Sequence, residues 1–330
     1  MRHRRPVLLS GVLASAVLMA WLALRAAPSA GPATDEAASA AARPAVPGEP
    51  VRDDEVTRLM RRVEERFRAG WRGVRLRIRT ARDDDEPVVG RPDAVEIWGV
   101  QAGDHERTEM LFVFTRPRWM RGTGLMLVDP WGAALEDDEI WYHMPSFNRF
   151  KSVSQSSLKV LVAGTCLTYE DAHGFLSTDK YDFAWARADM ETSGEKLVLA
   201  RPKTSELAEN LGYLGLAVTV DTRLVMVRRI EYTGLSGELV KTYETDRPVQ
   251  IGEAWLPGSA RAQDLRSLVV SEVDFAYWPL AEPPPSTLYD QEVDRPLIDR
   301  FFAHLASQGI APELEEEGSE EPDTNSRRRG

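Results

Sequence analysis

Met110-Leu111-Phe112-Val113-Phe114, Gly124-Leu125-Met126-Leu127-Val128-Asp129-Pro130, Ile140-Trp141-Tyr142-His143-Met144-Pro145 and Gly164-Thr165-Cys166-Leu167-Thr168-Tyr169-Glu170-Asp171 lie within one stretch, Glu109 to Asp171, whose reading decides the fold. The shorter run Val160-Leu161-Val162 falls between the last two. Apolar runs of about three to six residues, bounded by Pro, Gly and Asp, read as strands rather than helices. The first run is apolar on both faces: Met110, Phe112 and Phe114 fall on one side, Leu111 and Val113 on the other. A sheet with one wet face shows polar residues at alternate positions. Both faces here must therefore be covered, by a second layer or by a bound apolar ligand.

The same pattern extends outward. Val74, Leu76 and Ile78 alternate with Arg75, Arg77 and Arg79, which predicts a strand with its arginines outward. Further strands are expected at Val95–Val100, Glu195–Ala200, Leu216–Asp221, Leu224–Tyr232, Gly237–Tyr243, Val249–Leu256 and Leu265–Phe275. In the last of these, Leu265, Ser267, Val269, Ser271, Val273 and Phe275 share a face. Before the first strand, Val56, Leu59, Met60, Val63 and Phe67 recur at helical spacing, with acids at the start and arginines further along. After the strands come a proline-rich connector, 279–285, and a short helix over Pro296–Leu305. Short connections imply antiparallel neighbours. The expected fold is a mainly β curved antiparallel sheet or incomplete barrel with flanking helices packed into it.

The flanks bound the domain. Residues 1–30 hold a basic start, an apolar run from Pro6 to Leu24 and small residues near Ser29 and Ala30. That is the layout of a secretory signal, with an uncleaved N-terminal anchor as the alternative. Residues 31–52 read as a flexible linker, 53–310 as the folded domain, and 311–330 as a disordered acidic tail ending in arginines. The 330 residues carry a net charge of -11, which disfavours nucleic acid as a partner. Cys166 is the only cysteine, so the chain has no intramolecular disulfide and no thioredoxin-like pair.

On these residues the central stretch resembles the LolA-like family of outer-membrane lipoprotein-sorting proteins. The words that carry the likeness are Thr123-Gly124, Asp129-Pro130, the Ile140 to Pro145 run, Arg149, Lys151 and above all Gly164 to Asp171. Seven of those last eight positions fit; Cys166 stands where the family usually has aspartate. The resemblance implies an exported half-barrel, with helices over its concave apolar face, that holds acyl chains of a lipoprotein or other lipid in the periplasm of a Gram-negative envelope. It also implies an inner-membrane lipid exporter as partner and a non-enzymatic role; no cofactor or metal is expected, and the alternative is an envelope scaffold or transporter accessory protein without a lipid cavity.

Candidate sites follow. Met110, Phe112, Phe114, Leu125, Leu127, Tyr142, Met144, Leu197, Leu199, Met226 and Ile230 line either a lipid cavity or a dry core; the resemblance favours the cavity. Each buried methylene contributes about 0.8 kcal/mol, enough to keep a long acyl chain out of water. Arg118, Trp119, Trp131, Arg149 and Lys151 are candidates for a rim that meets headgroups or a partner; an exposed turn, with ion pairs from Arg149 and Lys151 to Glu170 and Asp171, is the alternative. Gly164, Tyr169, Glu170 and Asp171 read as a structural motif pinning a strand end. His105, His143 and His173 lack metal spacing, and Ser236 lacks the nucleophile-elbow pattern. A hydrolase would need a cleft joining one of these histidines to a nucleophile and an acid.

Overall fold

Gly70–Arg82 forms β1, next to the centre of the sheet. The computed structural model describes residues 54–68, 70–103, 107–130, 139–154, 159–173, 176–186, 194–290 and 296–310. All of them fall in one compact unit, residues 49–330. From β1 the chain meanders through β2 (Ala94–Gly103), β3 (Arg107–Arg116), β4 (Gly124–Pro130), β5 (Glu139–Met144) and β6 (Arg149–Ser152). It then crosses to the opposite edge and returns through β7 (Tyr181–Trp185), β8 (Glu195–Pro202), β9 (Tyr213–Asp221), β10 (Met226–Gly234), β11 (Leu239–Ile251), β12 (Ala254–Asp264) and β13 (Val269–Pro279). β13 pairs with β1, from Arg72 opposite Pro279 to Arg82 opposite Val269. The thirteen described strands make one antiparallel sheet in the order 6-5-4-3-2-1-13-12-11-10-9-8-7, with β6 and β7 as its edges. It is a mainly β, unclosed sheet with four flanking helices among the described residues.

The two-sided apolarity of β3 has a direct structural cause. Helix α1 (Asp54–Arg68) buries Val56, Leu59, Met60 and Val63 against Met110, Leu125 and Leu127 on the concave face. The C-terminal helix, here α4 (Leu297–Ser307), buries Leu297, Phe301 and Leu305 against Leu111, Val113 and Met126 on the outer face. Successive side chains of one strand thus feed two separate cores, as strand alternation requires. Trp98 of β2 stacks on Trp278 of β13 at 5.2 Å within the outer layer. Beyond this doubly covered part, the outer faces of the later strands are wet. Exposed pairs such as Arg79–Glu272, Arg229–Glu244 and Arg266–Glu238 occupy them.

Several boundaries differ from the sequence expectation. Val249–Leu256 is a hairpin rather than one strand: β11 runs to Ile251, the chain turns at Gly252 with φ +59, and Val249 faces Leu256 across the ladder. Apolar residues on both sides of the turn hide it from periodicity. Leu265–Leu268 is likewise a turn, built by the Asp264 carboxylate accepting from the Arg266 and Ser267 amides. Only Val269, Ser271, Val273 and Phe275 of that run share a strand face. Val160–Val162 leads into a 3-10 turn (Val162–Gly164) and forms no strand. Two short helices lie between the terminal ones: α2 (Tyr169–His173) and α3 (Ser205–Leu211). The Thr204 side chain caps α3 by accepting from Leu207 N at 3.1 Å, and Gly212 closes it.

Candidate functional site: an apolar cavity under the first helix

Inward side chains of the curved sheet fail to fill the space they enclose. A cavity of about 200 Å³ remains on the concave face. Val74, Leu76 and Ile78 of β1 line it, as their alternation predicts, with Met110, Phe112 and Phe114 of β3 and Leu125 of β4. Met226, Ile230 and Tyr232 of β10, Tyr243 of β11 and Phe275 and Tyr277 of β13 form the facing wall. Val63, Arg66 and Phe67 of α1 close one side; Val162 and Leu167 of the β6–β7 crossover close another.

Of the sequence-predicted lining, Met110, Phe112, Phe114, Leu125, Met226 and Ile230 meet at this cavity. Leu127 is fully buried beneath α1 instead. Tyr142 and Met144 lie half-buried on β5, away from the cavity wall. Leu197 and Leu199 point to the other face of β8, because Val198 and Ala200 take the buried inward positions. Both alternations of Leu197-Val198-Leu199-Ala200 are apolar, so the sequence period cannot choose between them.

α1 is attached to the sheet by polar contacts around its last turn. Arg68 is buried and pairs with Glu64 at 2.9 Å and with Asp129 of β4 at 2.5 Å. Glu64 also accepts from the Thr178 amide and hydroxyl, both at 3.1 Å. Gln101 of β2 donates to the Phe67 and Arg68 carbonyls at 2.9 Å each. Gly103 permits this approach, since a Cβ there would sit 1.8 Å from the Arg68 carbonyl oxygen. The Asp129-Pro130 word of the sequence therefore supplies one carboxylate of a buried clamp.

The crossover carries the Gly164 to Asp171 motif, and its chemistry is local and structural. Thr168 and Asp171 form a reciprocal capping box on α2: Thr168 N donates to Asp171 Oδ2 at 2.6 Å, and Asp171 N donates to Thr168 Oγ1 at 3.2 Å. The residues expected to pin a strand end thus begin a helical turn. Asp171 further accepts from Tyr232 OH at 2.8 Å and pairs with Lys241. Burial alone would raise its carboxyl, but Lys241, Thr168 and Tyr232 outweigh that and hold it below its ordinary value. Glu170 is buried near Lys180 at 3.9 Å. The acids therefore turn to Lys180 and Lys241, not to Arg149 and Lys151, which are exposed. Cys166 is buried, its amide donating to Ser271 Oγ at 2.9 Å and its Sγ to the Val269 carbonyl at 3.0 Å. Burial pushes its thiol up, away from reactivity. Tyr181 and Tyr213 share a hydroxyl contact of 3.0 Å, and burial raises both phenols well above their usual range.

A second feature lies at one end of the sheet. The β3–β4 turn and the β5–β6 turn are neighbours, with Pro145 within 3.4 Å of where a Gly122 Cβ would lie. Trp119 is 66% exposed and Phe147 52% exposed. Arg116, Arg118, Arg121, Arg149 and Lys151 surround them, all exposed, and Lys151 Nζ lies 5.2 Å from the Phe147 ring centroid. Trp131 falls outside the described residues. Phe147 was not anticipated as a rim residue; its place in Ser146-Phe147-Asn148, between two strands, is the available signal.

His143 is buried beneath α4, its Nδ1 3.1 Å from the Gly122 carbonyl, and burial lowers its pKa. His105 and the His173 side chain lie outside the described residues. No cluster of three metal-ligating side chains occurs among the described residues. No described helix is long and apolar enough to cross a membrane; the Pro6–Leu24 run is not among them.

A family model with the description "-like: Uncharacterized protein" matches residues 106–293, more than half of the chain. No curated protein matches it. Among solved structures, a DUF1329 family protein from Desulfovibrio piger is similar with a TM-score of 0.61 at 17% identity, over 72% of this chain and 96% of that one. A putative outer membrane lipoprotein-sorting protein domain from Vibrio parahaemolyticus gives 0.58 at 16% identity, over 69% and 94%. A LolA superfamily protein from Nitrosomonas europaea gives 0.53 at 17% identity, over 71% and 97%. Identities this low establish a shared fold.

Proposed function

The chain belongs to the family of uncharacterized proteins whose model spans residues 106–293, and from that premise we propose that it is a carrier or receptor for acyl chains in a bacterial envelope. The observation that carries this reading is the apolar cavity between α1 and the concave face. A dry core at native packing density leaves no such space. The likeness in fold to a lipoprotein-sorting protein domain supports the same reading.

On this proposal Met110, Phe112, Phe114, Leu125, Met226 and Ile230 contact the acyl chain. The cavity is smaller than the roughly 300–1,000 Å³ of ordinary ligand pockets, so a long chain enters by displacing a wall. The Trp119–Phe147 tip, with its five exposed cations, docks on headgroups or on an inner-membrane lipid exporter; aromatic and basic side chains together suit a membrane interface. Residues 1–30 deliver the domain to the periplasm as a cleaved signal or hold it there as an anchor, with 31–52 as tether. Catalysis has no place in this reading.

The test is native mass spectrometry of the protein purified gently from its own envelope, followed by lipid extraction and loading with excess lipid or lipoprotein. A stoichiometric acylated ligand, lost in a folded Phe112→Asp variant, is the expected result. Failure to take up any lipid or lipoprotein offered in excess overturns the carrier.

A further inference from the structure

Arg72 shares the inward face of β1 with Val74, Leu76 and Ile78 and lines the same cavity. It is only 4% exposed. Arg68, just before it in the chain, is buried to the same degree, yet two carboxylates neutralise it. Arg72 has no carboxylate within ion-pair distance among the described residues. Its contacts are neutral: Nη2 donates to the Phe67 carbonyl and to Gln101 Oε1, the latter at 2.7 Å, and the guanidinium lies 4.7 Å from the Phe67 ring. Both hydrogen bonds use one nitrogen, and among the described residues no hydrogen bond engages Nε or Nη1. Burial lowers its pKa to about 10, so it remains a cation at neutral pH. A buried charge without a counter-ion is costly, and a charge-assisted hydrogen bond to a carboxylate or phosphate is strong.

Resting on the carrier reading, we infer that Arg72 is the headgroup anchor of the cavity, and that the ligand is an amphiphile with an anionic carboxylate or phosphate. One of its oxygens meets Nη1, which neither of these contacts uses, while the chain runs along Val74, Leu76 and Phe112. Gln101 holds the guanidinium in place. An uncharged acylglycerol forgoes the contact.

The full chain, freed of lipid, is titrated at neutral pH with cis-parinaric acid and with its methyl ester, using the fluorescence of the polyene. The expected result is at least tenfold tighter binding of the acid. Arg72→Gln is expected to erase that preference and leave ester affinity within about twofold. Equal affinity of acid and ester for the unaltered protein overturns the anchor and leaves the carrier standing. Binding of neither overturns both. Should Arg72→Gln fail to fold, carbon-13 NMR of carboxyl-labelled palmitate bound to the unaltered protein decides: a carboxyl pKa below that of the free acid supports the anchor, an ordinary or raised one overturns it. Competition by lysophosphatidate but not by palmitate assigns the head to phosphate, and the reverse assigns it to carboxylate. Displacement by inorganic phosphate alone overturns the amphiphile.

Discussion

The two amphipathic helices cover the same strands from opposite sides by different means. α4 lies on the outer face through Leu297, Phe301 and Leu305, all fully buried in an interdigitated apolar layer. α1 adds to its apolar stripe a clamp of Arg68, Glu64, Asp129 and Gln101, and the space beside it stays partly empty. Apolar burial is indifferent to small slips, whereas a clamp of charges and hydrogen bonds fixes one position and offers a discrete way to leave it. On the proposed carrier reading, the outer helix is the permanent wall and the inner one the wall that moves.

Breaking that contrast begins with Gly103. Gly103→Ala drives a methyl group into the Arg68 carbonyl, so α1 leaves its seat; a loss of about 5 kcal/mol in urea unfolding, with a fall in unfolding cooperativity, is expected. Arg68→Met removes the cation that Glu64 and Asp129 share and should cost about 4 kcal/mol. Phe301→Ala should cost a similar amount by opening a hole under α4. The pair separates the helices by ligand uptake, which Arg68→Met alters and Phe301→Ala does not.

Asp171 tests whether the crossover is clamped as α1 is. Its carboxyl lies below the ordinary value when folded, so its contribution is present above about pH 4, the unfolded value. That contribution is lost as pH falls through the lower, folded value. Asp171→Asn should cost about 2 kcal/mol at pH 7 and flatten the acid limb of stability measured from pH 6 to pH 2. Overpacking sharpens the contrast further. Leu111→Phe, in the dry outer layer, should cost about 2 kcal/mol, while Leu125→Phe, facing the cavity, should cost under about 0.5 and reduce lipid uptake. The smallest effect belongs to Trp119→Ala, within about 0.5 kcal/mol in stability. Its reading is the loss of flotation with anionic vesicles; unchanged flotation removes the tip from the docking proposal.

The architecture was legible where one strong period ruled. Val56, Leu59, Met60 and Val63 announced α1, and Met110 to Phe114 announced a strand needing cover on both sides. It was illegible where both phases are apolar, as in Leu197 to Ala200, or where a turn hides inside an apolar run, as between Val249 and Leu256. Arg72 is not legible in the sequence, because beside the alternating Arg75, Arg77 and Arg79 one more arginine in Trp71-Arg72-Gly73 looks like another exposed cation. Its significance is relational: only the fold places it against Gln101 and away from every described carboxylate. The Asp129–Arg68 pair was hidden for the same reason, its partners being far apart in sequence.

The gap between β6 and β7 has a mechanical consequence. A closed barrel has a girth fixed by strand number and shear, and widening it means breaking a ladder of hydrogen bonds. Here the ring is left cut, and the segment carrying Asp171 and Cys166 spans the concave side as a strap tied to Lys241, Tyr232, Ser271 and Val269. Girth is then set by a few side-chain ties rather than by a row of backbone bonds. On the proposed carrier reading, such a vessel adjusts its bore to cargo of different thickness by loosening a tie, with every strand pair left whole.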